Sequence, residues 1–198
     1  MNAINWKRAL YIVLVLAAII SSINWFLGDR SFTFGFVMDC IGKASTVVAA
    51  IAAFFCKIAW KSKLFRNWLV LIPNINGVWN GKLQSDWVDP TTNEKFPPID
   101  VVLTIKQSLF KTSCMLNTNE SSSHSITSAF LIDPESQVCR LIYAYQNDPK
   151  QTLRNQSRIH YGTATLDVKD NNNVISLEGN YFTGRGSSGY MSFTAHPC

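Results

Sequence analysis

Ile159-His160-Tyr161-Gly162-Thr163-Ala164-Thr165-Leu166-Asp167-Val168-Lys169, the run Asp170-Asn171-Asn172-Asn173, and Val174-Ile175-Ser176-Leu177-Glu178-Gly179-Asn180-Tyr181-Phe182-Thr183 decide the fold of the larger part of this chain. In the first segment His160, Gly162, Ala164 and Leu166 share one face. In the second, Ile175, Leu177, Gly179, Tyr181 and Thr183 do so. Two period-two segments around a short Asp/Asn turn are the pattern of an antiparallel hairpin.

The same grammar extends outward on both sides. From Pro73 onward alternation and closely spaced turn residues predict strands near Val78–Trp87, Ile99–Ser108, Thr112–Thr118, Ser125–Asp133, Cys139–Asn147 and Gly189–Thr194. Asp89-Pro90, Pro97-Pro98, Asp133-Pro134, Asp148-Pro149 and Gly184–Gly186 punctuate them. Eight strands and no long amphipathic helix predict an all-β domain over 70–198, an antiparallel, lipocalin-like closed barrel. Val101, Leu103, Ile105 and Gln107 share a face, as do Leu141, Tyr143 and Tyr145. These sets run from apolar to polar or aromatic, which predicts a greasy floor and a mouth rich in Tyr, His, Thr and Gln. Gly77-Val78-Trp79-Asn80-Gly81 opens the domain, and the indole of such a bent strand plugs one barrel end, as in lipocalin-like barrels.

The first third obeys different rules. Only 16% of the 198 residues are charged while 47% are hydrophobic, against about 25% charged in soluble chains. The 12% of aromatic residues, with 10 Gly and 7 Pro, exclude a disordered or collagen-like chain. The net charge of +5 divides unevenly: residues 1–66 carry eight basic and two acidic side chains, the remainder ten basic and eleven acidic. A DNA or RNA binder needs its cations on the folded domain, and here that part is nearly neutral. Basic residues flanking apolar runs fit a membrane with an anionic cytoplasmic face.

Ala9–Leu27 is 19 residues without a charge, enough to cross the hydrocarbon core, and Phe32–Trp60 is apolar apart from Asp39, Lys43 and Lys57. We read a two-helix transmembrane region in 1–66, spanning at about 9–27 and 34–56. Asn24-Trp25-Phe26 is a poor cleavage site, which argues against a signal peptide. Lys7, Arg8, Lys57, Lys61, Lys63 and Arg66 lie outside the two spans on one side and Arg30 on the other, so both termini are expected in the cytoplasm. Five cysteines, with Cys114, Cys139 and Cys198 an odd set in the β-domain, fit a reducing compartment. Ser45, Ala49 and Ala53 recur every fourth residue beside Gly42, Thr46 and Ala50, a face stripped of bulk that serves packing within the hairpin or between protomers. Asp39 and Lys43, at i and i+4, can pair; a role in assembly or in admitting water stands beside a simple interfacial position.

Catalytic patterns are not found. His124, His160 and His196 are scattered, there is no Cys-x-x-Cys, and no metal site is expected. No nucleophile elbow or phosphate loop occurs, and Gly184-Arg185-Gly186 lies between strands rather than at a helix start. Asp167 and Glu178 face outward by parity. The domain reads as a binder and not as an enzyme.

The two-helix hairpin, Pro73–Gly81, Gln107, Thr118–Ser125, Leu141–Tyr145, His160–Ala164 and Gly179–Gly186 together resemble one family. It comprises the two-transmembrane, β-strand-rich effectors associated with bacterial cyclic-oligonucleotide antiphage signalling (CBASS). The resemblance implies an inner-membrane effector with no cofactor, whose cytoplasmic barrel binds a cyclic dinucleotide made by a partner nucleotidyltransferase. Binding would drive homo-oligomerisation in the lipid bilayer and membrane disruption, killing the infected cell. Such a ligand has two negative charges and two flat bases, so its site needs stacking rings and cations. Tyr145 and Tyr181 are the candidates for stacking, Arg158 and Arg185 for phosphate, His160 and Thr183 for hydrogen bonds. Plainer roles stand beside these: Tyr143 and Tyr145 closing the barrel end, His160 as a structural histidine, Arg158 as a solvated charge. The Arg185 glycines equally suit a hairpin turn. A membrane-anchored barrel for an apolar small molecule, or an interaction module without ligand, are the alternative functions.

Overall fold

A computed structural model describes residues 3–28, 33–133, 138–155, 157–171 and 174–195. Asp29, Arg30, Phe32, Pro134, Asn172, Asn173, His196 and Cys198, named above, lie outside the described residues. The chain divides between Ile72 and Pro73 into two compact units.

In the first unit, helix α1 spans Trp6–Leu27 and helix α2 spans Phe34–Lys57. Helix α1 begins three residues before the charge-free run because Asn5 caps it, its side-chain oxygen accepting from the Arg8 N–H at 3.3 Å. Thr33 caps α2 likewise through the Phe36 N–H. Both helices are long and apolar enough to cross a membrane. Cys40 and Ala44 are the buried residues of α2, while Ser45, Ala49 and Ala53 are exposed in the single chain. Asp39 and Lys43 pair at 2.6 Å. Residues flanking the helices tie together: the Leu71 N–H donates to the Ala3 carbonyl, Asn5 N–H to Leu69, and the Arg8 guanidinium to the Trp68 carbonyl at 2.7 Å. The start of α1 and the segment beyond α2 therefore lie on one side of the hairpin.

The second unit is a closed antiparallel barrel in simple chain order, β1 Gly77–Ser85, β2 Ile99–Gln107, β3 Thr112–Asn117, β4 Ser121–Asp133, β5 Val138–Pro149, β6 His160–Asn171, β7 Val174–Thr183 and β8 Ser188–Ala195. Strand β8 returns to β1, so no edge is left open. Inward positions follow the sequence parity: Val101, Leu103 and Ile105 on β2, Leu141, Tyr143 and Tyr145 on β5, and Leu166 and Leu177 on β6 and β7 are all buried. Asp167 and Glu178 lie outside, paired with Arg140 at 2.6 Å and with Lys169.

Strand β4 starts at Ser121, four residues before the expected Ser125, because the serines ahead of that point pair with β5 as far as Pro149. A bulge follows between Ser125 and Thr127. There the serines substitute for backbone partners of β3: the Ser125 hydroxyl accepts from the Cys114 N–H at 2.9 Å, and Ser128 donates to the Thr112 carbonyl at 2.6 Å.

One barrel end is closed by Trp79, Ile75 and Leu109, and the Trp79 indole donates to the Ile75 carbonyl at 3.0 Å. Gln107 belongs to this end and not to the mouth. Its amide accepts from the Ile75 N–H at 2.8 Å and donates to the Pro73 carbonyl at 2.9 Å, supplying partners to backbone that arrives without a strand neighbour. Residue parity had placed Gln107 correctly inside; it says nothing of which end a residue occupies, and β2 runs toward the closed one.

Candidate functional site

The other barrel end opens on a cavity of about 700 Å³, within the range of about 300–1,000 Å³ usual for small-molecule sites. Strand β5 shows how sequence builds it. Its inward residues run Leu141, Tyr143, Tyr145, Asn147, apolar in the core and polar toward the opening, and the last three line the cavity. The Ser123 hydroxyl donates to the Asn147 side-chain oxygen at 2.7 Å, so the first serines of β4 form part of the wall.

Two tyrosines reach the wall through glycines. Tyr145 stands opposite Gly162 and Tyr181 opposite Gly189 across neighbouring strands. A Cβ on Gly162 would enter the hydroxyl end of Tyr145, and one on Gly189 would meet the ring edge and hydroxyl of Tyr181. Absence of that carbon lets each ring lie along its partner's backbone. Burial, with Tyr181 nearby, pushes the Tyr145 hydroxyl up to about 12, against the opposing pull of the Arg185 charge. Burial also raises Tyr143 and Tyr181. All three are neutral donors at physiological pH.

The rim carries the charge. Arg185 lies in the β7–β8 turn, where Gly186 takes φ 79° and the Thr183 and Ser187 hydroxyls meet at 2.7 Å. Its guanidinium donates to the Ser157 hydroxyl at 3.1 Å, from the segment between β5 and β6. His160 opens β6, its Nδ1 2.9 Å from the Arg158 carbonyl. A carbonyl only accepts, so Nδ1 carries a hydrogen and donates it. Glu120 contributes a carboxylate to the opposite wall.

Of the six residues expected at a ligand site, Tyr145, His160, Tyr181, Thr183 and Arg185 line this one cavity. Arg158 is not among its lining residues; it precedes β6, so strand alternation does not reach it, and its side chain is exposed. Sequence reasoning passed over Ser123, Asn147, Ser157 and Glu120, and the rim rings Trp87 and Phe96. Asn147 was within reach, since it continues the parity of Tyr143 and Tyr145. The two rings, separated by a proline-containing loop, carried no such signal.

The cavity offers hydroxyls, amides and rings, with the Arg185 guanidinium at one side and the Glu120 carboxylate at another, a combination suited to a polar ligand with flat groups whose negative charge meets Arg185. The model of the family described as Cap15, cyclic dinucleotide receptor domain, matches residues 70–195 of the chain. Two curated relatives carry the name CD-NTase-associated protein 15. One, from Yersinia aleksiciae, is 28% identical over 153 residues, 76% of this chain and 67% of the relative. The other, from Staphylococcus schleiferi, is 25% identical over 185 residues, 93% and 89% of the two chains.

Proposed function

The chain belongs to the Cap15 cyclic dinucleotide receptor family, and from that membership we propose that it is a CBASS effector anchored in the bacterial inner membrane. Its barrel faces the cytoplasm and takes up a cyclic dinucleotide released by a cognate nucleotidyltransferase. The observation that carries this reading is the coincidence of the matched domain with a barrel closed at one end and open at the other. Arg185 stands at the rim of that opening for a phosphate. Tyr145, Tyr181, Thr183 and His160 supply hydrogen bonds to the sugar, phosphate or base edges. Arg158 is a secondary phosphate candidate that only a shift of the loop before β6 would bring into play.

The response follows by population shift. Ligand binds the assembly-competent arrangement more tightly and draws the hairpins of several protomers together. Ser45, Ala49 and Ala53, exposed in the single chain, are the surface along which a second helix approaches. The Asp39–Lys43 pair then enters the assembly and weakens the bilayer barrier. Disruption of the membrane kills the infected cell.

The test is titration of the full chain in detergent micelles with cyclic di- and trinucleotides, linear dinucleotides serving as controls, followed by dye release from liposomes. One cyclic species should bind and trigger release. Arg185→Ala should weaken binding by about tenfold, as expected for loss of a charge-assisted hydrogen bond. Ala49→Leu should leave binding intact and reduce both oligomer size and leakage. Binding of fatty acids or sterols alone would replace this reading with the apolar-carrier one.

A further inference from the structure

A cyclic dinucleotide presents two flat bases, and the rings first expected to stack on them are badly placed to do so. Tyr145 and Tyr181 are only 7% and 8% exposed. Each lies with its hydroxyl end against a glycine backbone, which leaves no open ring face for a base. Trp87 and Phe96, in the β1–β2 connection, are the opposite case. They line the same cavity, remain 44% and 53% exposed, and stack on each other with centroids 5.0 Å apart and planes 14° from parallel.

This pair is held in place by the loop around it. The Asp86 N–H donates to the Ser188 carbonyl and the Ser188 hydroxyl to the Asp86 carboxylate at 3.0 Å, which ties the start of the loop to β8. Val88 and Lys95 form a bridge, and the Asp89 N–H donates to the Glu94 carbonyl, closing the tip. The Gln84 amide donates to the Phe96 carbonyl at 2.7 Å. The loop that carries the rings is thus held before any ligand arrives, which lowers the entropic cost of binding on them.

From this we infer that Trp87 and Phe96 are the base-stacking platform of the site, one nucleobase lying on their exposed ring surface while the tyrosine hydroxyls and Arg185 hold the sugar–phosphate ring. The inference rests on the cyclic-dinucleotide reading above. It assigns recognition of a base to the β1–β2 loop and not to the barrel interior.

Trp87 reports directly on such a contact, since a stacked base quenches indole fluorescence. The full chain in detergent micelles is titrated with 3′,5′-linked cyclic dinucleotides carrying two purines, a purine and a pyrimidine, or two pyrimidines. Heat and tryptophan emission are both recorded. For the species that binds, Trp87→Ala and Phe96→Ala should each weaken affinity by about tenfold or more, the usual effect of removing one stacking ring. Trp87→Phe keeps a ring for stacking, so affinity should stay within about threefold of wild type while most of the ligand-induced quenching disappears. Wild-type binding, with Trp87→Ala within twofold of it and quenching unchanged in Trp87→Phe, would overturn the platform and leave the receptor reading standing. No binding of any probe by the wild-type chain would overturn both.

Discussion

The two ends of the barrel are made by the same strands under the same alternation, yet they have opposite properties. At the closed end, Trp79, Ile75, Leu109 and Phe193 fill the interior, and of the polar side chains buried there Gln107 is occupied by backbone partners, while Thr112 sits beside it across β3. At the open end the inward positions are Tyr145, Asn147, Ser123 and Tyr181, and the cavity between them is unfilled. Apolar filling supplies stability through close contact, and the Gln107 amide there is taken up by backbone groups. The open end keeps donors and acceptors directed at a space that a ligand can occupy. Stability and recognition are separated along the barrel axis, so changes at the two ends should be separable in experiment.

The largest effect is expected at the filled end. Leu103 is fully buried, and Leu103→Ala should cost about 2–5 kcal/mol, read as a lower thermal midpoint of the chain in micelles, with nucleotide affinity of the folded fraction unchanged. A parallel loss of affinity would break the division.

Gly162→Ala attacks the boundary between the two regimes. The added carbon meets both the Tyr145 hydroxyl end and the Phe182 carbonyl, so part of the clash is with backbone that cannot rotate away. Overpacking should cost about 1–3 kcal/mol, and displacement of Tyr145 should weaken ligand binding as well. A variant that lost stability but bound normally would remove Tyr145 from the site.

Tyr145 also gives the open end a pH signature. Below its ordinary value of 10 the hydroxyl is protonated in folded and unfolded chains alike; between 10 and about 12 the unfolded chain releases a proton that the folded chain retains. Stability therefore falls as pH rises through that window. Thermal unfolding from pH 9 to 12 should show a steeper alkaline loss for wild type than for Tyr145→Phe, and equal slopes would show that the phenol ionises freely in the folded state.

The smallest effect belongs to neither end. Arg140 and Asp167 pair across β5 and β6 on the outer wall with side chains 40% and 38% exposed. Arg140→Ala should leave the thermal midpoint close to that of wild type, as is usual for an exposed ion pair, and leave affinity alone.

Much of this architecture was legible because it rests on local periodicity. Leu103, Leu141, Leu166 and Leu177 were placed inside by alternation alone, and Ala9–Leu27 marked itself by lacking charge. Ser121–Ser123 were not recognised as strand because their inward hydroxyls face a polar cavity, where the apolar half of the alternation is missing. Arg158 lies outside the cavity lining for a related reason, since alternation carries a residue to a face only while the strand continues. On α2, the sequence displayed a face of small residues without saying what it meets; within the single chain, burial falls instead on Cys40 and Ala44.

The sequence by itself determined two apolar helices, eight strands and the inward or outward side of most strand residues, because hydropathy and period-two alternation are properties of neighbours along the chain. Only the tertiary structure decided that Gln107 belongs to the filled end, that five of the nominated residues share one cavity, and that Trp87 and Phe96 stand at its rim. Those facts depend on strand direction, register and loop closure, which bring together residues far apart in sequence, and no local pattern records the resulting distances.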